Sequence, residues 1–377
     1  MANFVYPEYS NNIYSLSNSI LQTFGIDTNK PSIYLNVPSK KKVCLIVLDG
    51  LGLDMLSHYE NGAEVELRKM TTVFPSTTAT VLASLLLNMS PGEHGILGYK
   101  TFYKRAAGII KPLEFTYAAI PRPGALGPIG EARDFFPFMN LFTKLYRKRR
   151  VKSTVITPIE ISHSEYSELI ISGATNVIGY HNIWDSFEML ENELRVGKSR
   201  FVYMYIPYID SLAHNYTKND NSVRNATRFI YNGIKEIFGR NSNRVFGMVT
   251  SDHGHSSVSN TVELEEDYAL MDKLEIPPYG DSRALMLRTR NDIRQDLSKY
   301  NLRVFSKDES LKLFGDVNEN TYKVLPDFVA VPADNTAYSY DYDLRDKKNN
   351  KRTVHLKSHH GGLSKEEMEI PLVIFDS

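Results

Sequence analysis

The chain has 377 residues, 42% hydrophobic and 23% charged, the values of a globular protein large enough for two or three domains or one domain with an insertion. With 44 Lys and Arg against 44 Asp and Glu it has no formal net charge, which excludes a global electrostatic attraction to nucleic acid or anionic membrane. The single cysteine, Cys44, excludes an internal disulfide framework and a CxxC zinc site, so any metal must be held by His, Asp, Glu or hydroxyl oxygens.

The N-terminal MANFVYPEYSNN lacks a basic segment followed by an apolar one, so no signal peptide is expected. The longest apolar run, near Val81–Leu87, falls far short of the ~20 residues of a membrane span. The expectation is a cytoplasmic enzyme with no membrane partner. Residues 11–24 place apolar side chains at helical spacing and stop at Gly25, which predicts a helix packed on the main domain. Val43–Leu48 is a continuous apolar run of the kind found in a buried parallel strand, with Asp49-Gly50 at its carboxyl end. The same form recurs at Val155–Pro158, Phe201–Ile209, Arg244–Thr250 and Pro371–Phe375. The first three follow predicted helices at 133–148, 183–196 and 221–239.

This alternation predicts an α/β fold with a doubly wound, mostly parallel sheet. Between about 275 and 345 the pattern changes. Short strands at Ala284–Arg288, Leu302–Phe305 and Asp327–Val331 and helices at Asp292–Tyr300 and Asp308–Phe314 predict a smaller α+β insertion, followed by a charged loop at Asp341–Arg352. The expected division is therefore 1–274 with 346–377 as the catalytic domain, and 275–345 as a cap-like insertion.

In such sheets ligands bind outside the carboxyl ends of the strands. Asp49, Asp210 and Asp252 fall there, and Asp210 is followed by His214 at i+4. Ser251-Asp252-His253-Gly254-His255 and His359-His360-Gly361-Gly362 add imidazoles. Singly, each has a structural explanation: an N-cap, a surface i,i+4 pair, a turn, a loop. Together they supply the Asp/His set without Cys that a hydrolytic divalent-metal site needs. A hydroxyl nucleophile could come from Val73-Phe74-Pro75-Ser76-Thr77-Thr78-Ala79, because the apolar Ala79–Asn88 reads as a helix that starts near Thr78. The alternative is that these hydroxyls only cap that helix. A helix N-terminus favours a phosphate through its dipole and free N–H groups.

The ordered set Leu48-Asp49-Gly50, Phe74-Pro75-Ser76-Thr77-Thr78, Ser90-Pro91-Gly92-Glu93-His94-Gly95, Asp210-x-x-x-His214, Ser251-Asp252-His253-Gly254 and His360-Gly361-Gly362 resembles the type I phosphodiesterase/nucleotide pyrophosphatase family of the alkaline phosphatase superfamily. The motifs span nearly the whole chain. The resemblance implies an alkaline phosphatase-like fold and two divalent metal ions, zinc first, with manganese or iron as alternatives. It implies that Asp49, Asp252 and His253 bind one metal together with the Thr78 oxygen, and that Asp210, His214 and His360 bind the other. It implies that Thr78 is the nucleophile, since the family has its Thr three residues after the Pro, with Thr77 the alternative. His359 competes with His360, and the family places the ligand directly before Gly. The implied reaction is hydrolysis of a small phosphodiester or pyrophosphate, including nucleotides, through a phosphothreonine.

Two positions depart from the pattern. Ala79 stands where the nucleotide pyrophosphatases have a base-stacking Phe, and Tyr99 stands where they have a phosphate-binding Asn. Tyr99 is therefore a substrate-binding candidate, with Phe102 and Tyr103 as further aromatics of one wall or as ordinary packing. His94 is expected to fix the turn before Gly95. His255 is expected either to orient a ligand or to be exposed, and Arg283 to form a salt bridge or to reach an anionic substrate. The basic run Arg147–Lys152 suits a helix C-terminus. A phosphomonoesterase or phosphonate hydrolase of the same superfamily is the alternative activity. A binding module that keeps the fold without turnover is disfavoured by the complete residue set, and a sulfatase by the position of Cys44 inside a strand.

Overall fold

The computed structural model describes residues 4–38, 41–56, 65–120, 122, 124–342 and 356–376. Its centre is a seven-stranded sheet built from β1 (Lys42–Leu48), β2 (Glu66–Thr71), β3 (Ser153–Pro158), β4 (Asn176–Tyr180), β5 (Phe201–Ile206), β6 (Val245–Thr250) and β7 (Glu369–Phe375). The spatial order is β2-β7-β6-β1-β5-β3-β4. β1 pairs in parallel with both β5 and β6, and β3 in parallel with β4 and β5, while β7 runs antiparallel to β2 and β6. This is the doubly wound, mostly parallel sheet expected from the strand–helix alternation.

β1 shows why the sequence takes this form. Val43, Leu45 and Val47 enter one core cluster, and Cys44, Ile46 and Leu48 enter the other. A strand covered on both faces needs apolar residues at every position, not at alternate ones. The first core is capped by α1 (Ile13–Thr23) and α2 (Thr78–Leu87), and the second by α3 (Ile183–Val196) and α5 (Asn221–Arg240), the latter following α4 (Tyr208–Asn215). α1 begins at Asn12, whose side chain accepts from Ser15 N–H in a reciprocal capping box. Residues 79–87 of α2 are buried all round, so this helix lies inside the molecule.

One predicted helix is divided. Residues 133–148 form a short turn, Ala132–Phe135, and a separate helix, Leu141–Arg149. Pro137 follows the first piece, and Asn140 caps the second by accepting from Thr143 N–H. β5 also stops at Ile206, earlier than expected, because Pro207 opens α4. Asp210 thus sits in the first turn of a helix and not at a strand end.

Between residues 279 and 332 an antiparallel four-stranded sheet forms in the order 279–281, 284–287, 328–332, 302–306. The helix Lys307–Phe314 packs on it, and the predicted helix at 292–300 is only one turn, Arg294–Leu297. A small three-stranded sheet at 101–103, 108–111 and 116–117, which sequence patterning did not foresee, joins this unit through the bridge between Lys100 and Gly280. The charged 341–352 segment lies mostly outside the described residues. Among the described residues no helix is long and apolar enough to cross a membrane.

Candidate metal and phosphoryl-transfer site

The candidate residues meet at the carboxyl ends of β1, β5 and β6. Asp49 follows β1 directly, and its main-chain oxygen accepts from Asp210 N–H at 3.0 Å, which locks the two strand exits together. Gly50 is required between them. Its φ is +77°, and a Cβ there would lie 2.8 Å from His255 Nε2 and 2.9 Å from Asp210 Cα. Asp252 Oδ1 accepts from the N–H groups of Gly50 (3.1 Å) and His253 (3.0 Å), so this carboxylate is oriented by the turn it sits in. Tyr205 of β5 donates its hydroxyl to Asp49 Oδ2.

The ligand candidates fall into neighbouring clusters: Asp49, Asp252 and His253 in one, Asp210, His214 and His360 in the next, with Asp210, His253 and His255 bridging them. The rings of His253 and His360 stack at 3.7 Å between centroids, so the two clusters are contiguous. The residues fit divalent cations on two independent observations. First, Asp49 Oδ1 and Asp252 Oδ2 are buried carboxylate oxygens without a hydrogen-bond donor among the described residues. Second, three imidazoles each turn Nδ1 to a main-chain carbonyl: His214 to Ser358 O (2.8 Å), His253 to Gly254 O (3.1 Å) and His360 to Ser76 O (3.1 Å). A neutral ring donating from Nδ1 carries its lone pair on Nε2. Those lone pairs face carboxylate oxygens at 3.3 Å (His214 to Asp210), 3.8 Å (His360 to Asp210) and 3.4 Å (His253 to Asp49 and to Asp252). Acceptors facing acceptors across such gaps call for a cation between them.

The electrostatics agree. Burial, with Asp252 and Asp210 nearby, pushes the Asp49 carboxyl well above the usual carboxylate range. Burial pushes Asp210 the same way, but His255, His214 and His360 outweigh it and hold Asp210 below that range. Burial, reinforced by His253, keeps the His360 ring neutral.

Thr78 is the first residue of α2, and its Oγ1 lies 3.2 Å from His253 Nε2, beside the Asp49 cluster. Thr77, the alternative nucleophile, is the buried N-cap residue and hydrogen-bonds Asp281 with its side chain. Ser76 ties the C-terminal loop to this turn: its hydroxyl donates to Gly362 O (2.9 Å) and accepts from Gly361 N–H (3.1 Å). The loop is pinned from below by Glu367, which accepts from Gly362 N–H and receives a bidentate Arg283 at 2.9 and 3.1 Å, both side chains fully buried. Arg283 spends its remaining donors on Asp334 O and Thr336 O, so it is the salt-bridged residue of the two expectations and does not face a substrate.

The other candidates separate cleanly. His255 is buried, with Nε2 2.9 Å from Asp210 Oδ1 and Nδ1 2.8 Å from Ser358 Oγ, which is the orienting position. His359 points away from the clusters to Ser282 Oγ at 2.7 Å. His94 holds the turn, contacting Ser84 Oγ and accepting from Ile96 N–H, and burial pushes its pKa down to about 3. Tyr99 lines a cavity of about 470 Å³ together with Thr78, His360, Lys100 and Asp281, but its hydroxyl is committed to Glu114 at 2.7 Å. Phe102 and Tyr103 pack against Tyr279 and against Phe135 and Phe136 instead of extending that wall.

Sequence reasoning passed over Asp281, Lys100 and Tyr205. Burial raises Asp281 to about 6 and lowers Lys100 to about 8. The signal for Tyr205 was its polar tip near the end of β5, five residues before Asp210.

The family model described as type I phosphodiesterase/nucleotide pyrophosphatase matches residues 43–363. Among solved structures, murine ectonucleotide pyrophosphatase/phosphodiesterase 5 superposes with a TM-score of 0.63 at 16% identity, over 88% of this chain and 88% of that one. The human protein of the same name gives 0.63 at 15%, over 88% and 87%. Phosphonoacetate hydrolase from Sinorhizobium meliloti 1021, solved with phosphonoacetate, gives 0.63 at 15%, over 89% and 90%. At these identities the likeness is one of fold. A comparison with curated proteins finds no match.

Proposed function

Because this chain belongs to the type I phosphodiesterase/nucleotide pyrophosphatase family and so is a phosphoric ester hydrolase, we propose that it cleaves phosphodiester or pyrophosphate bonds of small molecules with Thr78 as nucleophile. Asp49, Asp252, His253 and the Thr78 oxygen would hold one divalent cation, and Asp210, His214 and His360 a second. Zinc is the first choice for an open Asp/His set, with manganese or iron as alternatives. The expected insertion would face the substrate through residues 278–282 and 337–340, which line the cavity at Thr78. The observation that carries this reading is the placement of Thr78 Oγ1, at a helix N-terminus and 3.2 Å from His253, beside both clusters.

When bound, the cations lower the pKa of a hydroxyl or water and offset charge on phosphoryl oxygens. The chain does the rest. Thr78 presents Oγ1 to phosphorus, the Oγ1–P bond forms as the bond to the leaving oxygen breaks, and a phosphothreonine results. Water then hydrolyses that ester and returns the hydroxyl. The first-turn N–H groups of α2 point to where the phosphoryl oxygens would gather negative charge. The carbonyls of Ser76, Gly254 and Ser358 fix three imidazoles in the tautomer that leaves Nε2 free.

The test is a parallel rate assay on zinc-loaded protein with bis-p-nitrophenyl phosphate, p-nitrophenyl phosphate and the nitrophenyl ester of thymidine 5′-phosphate. Diester turnover that disappears in Thr78→Ala is the expected result. Preference for the thymidine ester would extend to this chain a nucleotide role like that of the murine neighbour, whose inactive variant was solved with AMP. Faster monoester turnover, or activity confined to phosphonates, would overturn the diester reading.

A further inference from the structure

The basic run Arg147–Lys152 takes no part in the site described above, and the topology shows what it joins. β6, β1, β5 and β3 are adjacent and parallel, so their amino ends share one edge of the sheet, opposite the carboxyl edge that carries the metal-ligand candidates. Each of the four is entered through a basic residue: Arg244, Lys42, Arg200 and Lys152. The main chain links these residues in a row. Lys42 N–H donates to Arg244 O at 2.8 Å, Val43 N–H to Arg200 O at 2.9 Å and Arg200 N–H to Lys152 O at 2.9 Å. With ~4.8 Å between strands the row spans about 14 Å. The Lys42 ammonium is tied to Glu193 O and Gly197 O, whereas the other three side chains are exposed. The helix Leu141–Arg149 brings a second set to the β3 end of the row, with Arg147, Lys148, Arg149 and Arg150 all exposed. Arg149 donates to Gly25 O and Arg200 lies over the ring of Phe24, so two guanidinium groups converge on the turn that ends α1. The acidic groups of this end are engaged elsewhere. Asp376 pairs with Lys41, Glu191 pairs with Arg240, Glu193 is buried, and Asp27 accepts from Asn29 N–H. A chain without net charge thus gathers cations on one edge.

We propose that this edge binds single-stranded nucleic acid, with phosphates along the row and a base on Tyr146. Arginine outnumbers lysine among the exposed groups, and its planar fork meets two oxygens of one phosphodiester. Tyr146 is 42% exposed, with the Arg150 guanidinium 5.3 Å from its ring centre. Aromatic faces and guanidinium planes are the surfaces on which unpaired bases stack. A duplex hides its base faces and can use only the phosphate row. A lipid surface offers its phosphates in a plane, whereas strand starts one after another follow a line, which suits a chain of phosphates. The inference does not depend on the hydrolase reading. The six residues of β5 separate the two edges by about 20 Å at ~3.3 Å per residue. A strand held here is therefore moored to the protein and is not presented to Thr78.

The experiment is fluorescence anisotropy of a labelled oligo-dT of about 20 nucleotides with the zinc-loaded full chain, set against the same length of duplex DNA and against phosphatidylserine vesicles. With about six phosphates contacted, the slope of log K on log salt should be near −4, so Kd should rise about 300-fold from 50 to 200 mM salt. The triple variant Arg147→Glu, Lys152→Glu, Arg200→Glu is expected to weaken binding at least about 30-fold. Arg303→Glu, Lys312→Glu, Lys323→Glu, the same charge change at exposed positions of the four-stranded unit, should leave it within about threefold. Tyr146→Ala should cost the single strand at least about fivefold and the duplex little. Inorganic phosphate at 1 mM, a competitor at Thr78, should displace nothing. A wild-type Kd weaker than about 100 μM at 50 mM salt overturns the inference, and this arm decides even where the variants fold poorly. Equal losses in the two triple variants, displacement by phosphate, or tighter binding to duplex or vesicles than to the single strand also overturn it. None of these outcomes touches the hydrolase reading, which is judged by turnover of the small esters.

Discussion

Asp49 and Asp210 are neighbours in one buried site, joined through the main chain, yet their surroundings are opposite. Asp49 looks at another carboxylate, Asp252, and shares one imidazole with it. Asp210 has three imidazole nitrogens within 2.9 to 3.8 Å. Burial raises the first carboxyl, whereas the second is held low despite burial. One half of the site therefore faces a second carboxylate, and the other receives the His255 ring at 2.9 Å while His214 and His360 turn lone pairs toward it. The same residue type at the same sheet edge acquires its character from what the neighbouring turn contributes: a carboxylate after β6, imidazoles from α4 and the C-terminal loop.

The largest effect should come from the hydroxyl between the halves. Thr78→Ala is expected to lower turnover by at least about 10⁴-fold while both metal equivalents, counted by elemental analysis, stay near their wild-type level. Asp210→Ala or His360→Ala should instead lose one equivalent. An unchanged metal count in both would show that the Asp210 half holds no metal.

Next is a charge pair that needs no cation. Arg283→Ala leaves Glu367 buried and unpaired, and should cost about 3–5 kcal/mol of stability, read by chemical denaturation. A loss below 1 kcal/mol would mean that the pair is not the anchor of the His360 loop. His255→Ala, which removes the orienting contact to Asp210, should weaken metal binding there by about 10- to 100-fold with the Asp49 half unaffected. Chelator competition separates the two equivalents.

The contrast itself is tested in metal-free protein by two chemically identical changes. Asp49→Asn removes a carboxylate that repels Asp252 and should stabilise the fold. Asp210→Asn removes the carboxylate that His255 contacts at 2.9 Å and should destabilise it. Each effect should be about 1–3 kcal/mol, and equal signs would end the comparison.

At neutral pH the smallest effect belongs to His94, a buried imidazole whose contribution emerges only on acidification. Its folded pKa is about 3, below the usual histidine value, so on acidification the unfolded chain takes up the proton first. Stability should then fall between about pH 6.5 and 3 with a slope of at most ~1.4 kcal/mol per unit. His94→Gln should remove that component from the pH profile of Tm.

Much of this was legible in the residues. The apolar runs named the sheet because strands buried on both faces have no polar positions to hide, as β1 shows. The acidic exits were visible because chain order places Asp49 directly after such a run and Asp252 one residue beyond another. What stayed hidden depended on tertiary approach. Nothing near Asp281 in the sequence shows that it meets Thr77, or that the three-stranded sheet at 101–117 brings Lys100 to the same cavity. The division of the 133–148 helix was readable in principle, since Pro137 and Asn140 are local stop and start signals. Apolar periodicity alone ran through them.

The Arg283–Glu367 pair joins partners 84 residues apart in the chain. Arg283 comes from the four-stranded unit, and Glu367 lies just ahead of β7 in the central sheet. Because the same glutamate accepts from Gly362 N–H in the loop that carries His360, the proposed ligand geometry is not finished until the peripheral unit has docked. A chimera that exchanged residues 275–345 for those of another protein would inherit a buried anion in search of a cation. Its success in metal loading would hinge on whether the donor brought an arginine to that one position.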